Sequence, residues 1–173
     1  VASDPSCSWG VYAAEGDPPL RARRTGEGWF LNGNKPWCSL ADRLSAALVT
    51  ATLDDGRRQL FAVDLRHPGV RAENEGWRAR GLAEIPSGAV EFRDVPSFSV
   101  REPEWYLRRP GFAWGGIGVA ACWYGGTVGL ARTLFEAARR PTPDRLLLMH
   151  LGAIDEGMQS ARRALAEAAR VID

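Results

Sequence analysis

Short runs of alternating apolar and polar residues, punctuated by Gly and Pro, fill residues 1 to about 107. From about residue 112 they give way to two long unbroken patterns. Trp9–Ala14, Leu20–Arg24, Trp29–Leu31, Ala46–Thr52, Gln59–Leu65 and Ala89–Val95 read as strands, the last stopped by Pro96. Turn signals lie between them. Thr25–Gly28 is a turn, Asn32-Gly33 are residue types that take positive φ cheaply, and Asp54-Asp55-Gly56 joins two strands as a hairpin. Strands of this length and spacing predict an antiparallel β-barrel or sandwich. In the second half, Ile117 to Arg139 is free of proline and predicts a helix. Pro141 and Pro143 break it, and a second helix runs from about Arg145 to Ile172. Ala161, Ala164, Leu165, Ala168 and Ile172 recur at helical spacing, with Arg162, Arg163, Glu167 and Arg170 on a solvated face. The expected class is α+β: an antiparallel β domain over residues 1–107, then long antiparallel helices over 108–173.

One stretch tests that class. Phe112 to Ala131 is 20 residues without a charge, long enough to span a bilayer. It is Gly-rich, poor in the Leu and Ile that drive insertion, and it follows a water-soluble β pattern directly. A helix buried on most sides in a bundle is therefore expected. Trp114, Trp123 and Tyr124 on this run would be costly to leave in water, which predicts a homo-oligomer.

Composition narrows the chemistry. The 173 residues carry 45% hydrophobic and 25% charged positions, which excludes disordered and low-complexity classes. The 22 basic and 21 acidic residues leave a net charge of +1, with no basic stripe for phosphate backbones, so no nucleic-acid partner is expected. Cys7, Cys38 and Cys122 are odd in number and scattered, with no zinc spacing. They read as free thiols in a reducing cytoplasm, and no metal is expected. The basic residues are arginine except Lys35, a bias that suggests a GC-rich bacterial genome. Val1 is not methionine and Asp173 falls inside a helical pattern, so both ends read as cuts through a longer protein.

The stretch Gly28-Trp29-Phe30-Leu31-Asn32-Gly33-Asn34-Lys35-Pro36-Trp37-Cys38-Ser39 takes the reading further. It resembles the Leu-Asn-Gly-x-Lys-x-Trp-x-(Ser/Thr) segment of the acyl-CoA dehydrogenase family. Gln59–Gly69, Gly88–Pro96 (with its Val-x-Phe-x-Asp-Val-Pro pattern), Gly125–Ala131 and Gly152–Asp173 resemble further pieces of that family, in order. The resemblance implies the family's middle β domain, binding flavin and substrate, over 1–107 and part of its C-terminal helical domain over 108–173. It implies an oxidoreductase acting on CH–CH groups. An acyl thioester, carried by CoA or another carrier, would lose an α-proton to a base and a β-hydride to FAD.

By resemblance, Trp37 packs against the flavin ring and the Ser39 hydroxyl bonds near N5. The residues themselves leave open a core tryptophan at a strand end and a turn serine capping Leu40–Asp42. Tyr12 falls near the pyrimidine end, as a phenol donor or simply a strand tyrosine. Cys38 is read as packing. Where many relatives place ionisable residues on the first helix, this chain has Ile117, Val119 and Ala120, none of which can take a proton. Glu136 reads as a surface residue, and no base is identified. Arg139, Arg140 and Arg145 are phosphate partners or a basic loop. Two functions stand: a piece of an FAD-dependent acyl thioester dehydrogenase, or a non-catalytic relative serving as a binding or structural subunit.

Overall fold

The computed structural model describes residues 6–73, 76–140, 142 and 144–172. The chain forms two compact units, Val1–Arg108 and Arg109–Asp173.

The first unit is a closed sheet built from β1 (Trp9–Tyr12), β2 (Arg21–Thr25), β3 (Gly28–Lys35), β4 (Ala46–Thr52), β5 (Arg58–Asp64), β6 (Val70–Glu73) and β7 (Ala89–Val100). The path β4–β2–β3–β7–β5 returns to β4 through a full β4–β5 hairpin, which makes it a barrel. The β4–β5 turn uses the expected Asp54-Asp55-Gly56, with Gly56 at φ 83° and the Leu53 amide donating to the Arg57 carbonyl. Leu20, Leu31, Val49, Phe61, Val90, Phe92 and Val95 fill the interior. A single turn, α1 (Trp105–Arg108), comes after β7.

Three local readings differ from expectation, each for a physical reason. First, the sheet is antiparallel except at β4. There β1 runs parallel, with Trp9 opposite Ala46 and Tyr12 opposite Val49, and β2 adds one parallel pair, Arg21 with Thr52. The two short strands share one edge of β4 in succession. Second, Asn32-Gly33 is not a turn. The strand β3 continues through it, and the positive φ of Gly33 (116°) sits opposite a bulge. Leu31 pairs with Val95 but Gly33 with Phe92, so β7 carries one extra residue there. Asp94 absorbs it at φ 46°. The Asn32 side chain accepts from the Asp94 amide (2.9 Å) and donates to its carboxylate (3.0 Å). The bulge changes the phase of β7, so Val90 and Phe92 before it and Val95 and Ser97 after it all face inward. Third, Pro96 does not stop β7: it lies opposite Phe30, and the strand runs on to Val100 opposite Leu60. On its other edge β7 pairs with β6 up to Phe92 and with β5 from Ser97. Residue 96 falls in the gap, where no ladder bond is required of it.

The second unit is a pair of helices, α2 (Phe112–Ala138) and α3 (Arg145–Ile172). The helix α2 begins five residues before Ile117, because Gly111 takes the left-handed conformation (φ 80°) at its N-cap. The two helices line one groove and are joined by only the six residues between Ala138 and Arg145, so they run in opposite directions. The breaks expected at Pro141 and Pro143 lie outside the described residues. Among the described residues no helix is long and apolar enough to cross a membrane. The apolar run of α2 is not enclosed in this chain: Ala131 is its one buried residue, and Trp114, Val119, Trp123 and Leu130 stay exposed. Two helices can cover only one face of each other.

Candidate functional site

The site grows from the end of β3. Lys35 is the last strand residue, and Pro36–Leu40 turns away over the barrel rim. Trp37 and Leu40 both adopt the left-handed region, at φ 60° and 59°. Such backbone is costly for residues with a Cβ and persists only where the surroundings hold it. Here the Cys38 amide donates to the Gly88 carbonyl (2.9 Å) and the Leu40 amide to Pro86 (2.8 Å), clamping the turn to the segment entering β7. The Cys38 thiol is fully buried and donates back to the Lys35 carbonyl at 3.3 Å. Burial pushes that thiol up to about 12, so it is an inert packing group, as expected.

This backbone turns Trp37 outward. Its ring is 65% exposed, so it is not a core tryptophan. It lines a cleft of about 530 Å³ together with Pro36, Arg71, Trp77, Ser87 and Gly88, a size suited to a small-molecule ligand. At the lip, the hydroxyls of Ser39 and Ser87 lie 2.7 Å apart, and Ser87 also approaches the Ile85 carbonyl at 3.3 Å. Trp77 adds a second indole, whose enclosed Nε1 has no hydrogen-bond partner among the described residues.

Tyr12 supports the site from below. It is 3% exposed, and its phenol donates to the Ser39 carbonyl at 3.0 Å, so that proton is already committed to the protein. Burial pushes the phenol up to about 12, with the nearby Cys38 and Asp42 adding to the effect. Gly10 makes room for the ring, since a Cβ there would lie 2.7 Å from Tyr12 Cζ and Oη. The three expected site residues thus meet at one turn, two at the surface and one beneath it. Sequence reasoning missed Arg71, Trp77 and Ser87. Ser87 carries a weak signal, its place just ahead of the β7 pattern; Trp77 carries none, because only the β3–β7 pairing brings the 76–89 segment beside Trp37.

Under the turn lies a buried ionic group. Lys35 Nζ donates to the carbonyl (2.6 Å) and hydroxyl (2.8 Å) of Thr50 and faces the Glu15 carboxylate at 3.8 Å. Glu15 also meets Arg58 at 3.3 Å. Burial holds the ammonium below the ordinary lysine range, against the opposing pull of Glu15. Among the described residues no group of three His, Cys, Asp or Glu side chains could hold a metal ion. Arg139, Arg140 and Glu136 lie at the end of α2 and beyond, the two arginines exposed and Glu136 at the surface.

The barrel that carries this turn has a counterpart among known proteins. Residues 10–95 match the family described as acyl-CoA dehydrogenase, middle domain. Residues 10–95 form an acyl-CoA dehydrogenase middle domain. No curated protein matches the chain by sequence. Solved structures share the fold of the middle domain and of the helices after it. An acyl-CoA dehydrogenase from Slackia heliotrinireducens is 19% identical with a TM-score of 0.72, over 94% of this chain and 46% of that one. An acyl-CoA dehydrogenase from Geobacillus kaustophilus is 13% identical with a TM-score of 0.70, over 94% and 49%. TdsC from a Paenibacillus species, solved with FMN and indole, is 20% identical with a TM-score of 0.63, over 94% and 48%. The chain thus spans about half the length of the structures it resembles.

Proposed function

We propose that the chain is the flavin-binding part of an FAD-dependent oxidoreductase that dehydrogenates the α,β carbons of an acyl thioester. Residues 1–107 would hold the ring, and 108–173 would begin a C-terminal helical domain. The observation that carries this is Trp37, whose left-handed backbone presents an indole face to a cleft beside two paired hydroxyls. These residues fit a flat heteroaromatic group. The indole offers a stacking face, and the enclosed Trp77 N–H has no hydrogen-bond partner among the described residues. Bound flavin would supply the hydride acceptor. Ser39 would turn its proton from Ser87 to the ring edge, and Tyr12 would keep the Ser39 backbone in place. Ile117, Val119 and Ala120 offer no base, so the α-proton would be taken by a group outside this chain. That same absence favours a second reading, a non-catalytic relative that binds flavin or serves as a structural subunit. The three free thiols support a reducing cytoplasm, the arginine bias supports a bacterial source, and the exposed apolar face of the helices supports a homo-oligomer.

The test is titration of FAD and of FMN with the chain, monitoring flavin fluorescence and visible absorbance. Quenching is expected on binding, because the ring would stack on Trp37. Trp37→Ala should abolish the quench, and Ser39→Ala should weaken affinity by the roughly 0.5–1.5 kcal/mol of one hydrogen bond. Binding of neither flavin, or equal binding by both variants, would refute the site.

A further inference from the structure

We propose that Lys35 is a positioning residue for the Pro36–Leu40 turn, a buried latch that ties the segment after β1 to the start of the turn that carries Trp37. This rests on the flavin reading for its role but not for its geometry. Lys35 is 1% exposed, and its three ammonium protons face Thr50 O, Thr50 Oγ1 and the Glu15 carboxylate. With Lys35 itself, the contacts join three places in the chain: β3, β4 and the segment after β1. Glu15 is held in turn by Arg58 of β5. The neighbouring Gly16 packs on Pro36, where a Cβ would lie 3.2 Å from the proline ring. The latch therefore acts on both sides of the turn's first residue. Cys38 closes the same knot by donating to the Lys35 carbonyl.

The choice of residue is a second, independent observation. Every other basic position in the chain is arginine, and no arginine among the described residues is buried. The single lysine is the single enclosed cation among the described residues. A compact ammonium with three donors matches three acceptors around one point. A planar guanidinium with five donors would leave some unsatisfied in the same space. A buried cation used only for stability would be a poor device, because a buried ion pair replaced as a whole by apolar side chains of similar volume is commonly as stable. What an apolar side chain cannot do is hold Thr50 and Glu15 at fixed distances from the turn.

Lys35→Met and Glu15→Gln test this in the whole chain. Backbone amide exchange is measured at Cys38 and Leu40, which report the turn, and at Val49 and Phe61, which report the barrel. Urea unfolding and FAD titration accompany it. In Lys35→Met the turn amides should exchange roughly 10-fold faster relative to the barrel amides, as expected for the loss of one charge-assisted bond at the turn. Affinity for FAD should fall by a similar factor; the urea midpoint falls in Lys35→Met, which leaves the Thr50 carbonyl and hydroxyl without their donor, and stays put in Glu15→Gln. Glu15→Gln, at a half-exposed position that does not threaten folding, should move the same readouts less. Unchanged turn amides in both variants would overturn the proposal. So would uniform acceleration across turn and barrel, which would make Lys35 merely structural. If the unaltered chain fails to bind FAD, the flavin reading falls, and the exchange data still decide the latch.

Discussion

Tyr12→Phe removes one oxygen and nothing else, and its effect should depend on pH in a specified way. At neutral pH the variant loses the bond from the phenol to the Ser39 carbonyl. A typical intramolecular hydrogen bond contributes roughly 0.5–1.5 kcal/mol net. Ser39 is exposed, so water can partly replace the lost donor, and the deficit should be about 1 kcal/mol. With a urea slope of about 2 kcal/mol per M, the midpoint should fall by about 0.5 M. Alkaline pH then removes the difference. Burial raises the phenol from 10.0 to about 12, so the folded protein keeps a proton that the unfolded chain releases. Stability from Tyr12 is complete below about pH 10 and is lost as pH rises toward about 12. By about pH 11 that loss is roughly 1.4 kcal/mol in the unaltered protein and absent in the variant. The two should therefore unfold at nearly the same urea concentration near about pH 11. A deficit missing at neutral pH, or one that stays constant into the alkaline range, would refute the placement of the phenol.

The buried Cys38 thiol makes a parallel case. It rises from 9.0 to about 12, so the protein should lose roughly 1.4 kcal/mol between about pH 7 and about pH 10 through this group. Cys38→Ala should flatten that limb in urea titrations, whatever its cost at neutral pH. Gly69→Ala should destabilise the barrel by about 3 kcal/mol in thermal unfolding, since its Cβ would crowd the Arg93 carbonyl and break the Arg93 amide bond to Gly69. Light scattering should find the chain associated, and Trp123→Glu, at a ring 77% exposed on α2, should shift it toward monomer. A monodisperse monomer of the unaltered chain at high concentration would contradict this.

Much of the local structure was determined by the sequence alone. The β4–β5 hairpin, the two long helices and the change of pattern near residue 110 come from side-chain period and turn residues, which act within a few positions. The Leu-Asn-Gly-x-Lys-x-Trp segment likewise located the turn that carries Trp37 and Ser39. Tertiary structure decided the rest. Asn32-Gly33 has the chemistry of a turn, yet it serves a bulge, because the extra residue lies 62 positions away at Asp94. Pro96 reads as a terminator, yet it sits inside β7, because two different strands share that edge and leave a gap beside it. Tyr12 reads as a donor for a ligand or a strand tyrosine, and its proton is committed to Ser39, a contact set by the return of the chain over β1. Lys35 reads as one more motif position, and only the closure of the barrel shows it wholly enclosed and bound to Thr50 and Glu15. Local rules name the elements. Which polar group meets which, and which cation is shut away from water, is decided by distant segments that one sequence read in order cannot bring side by side.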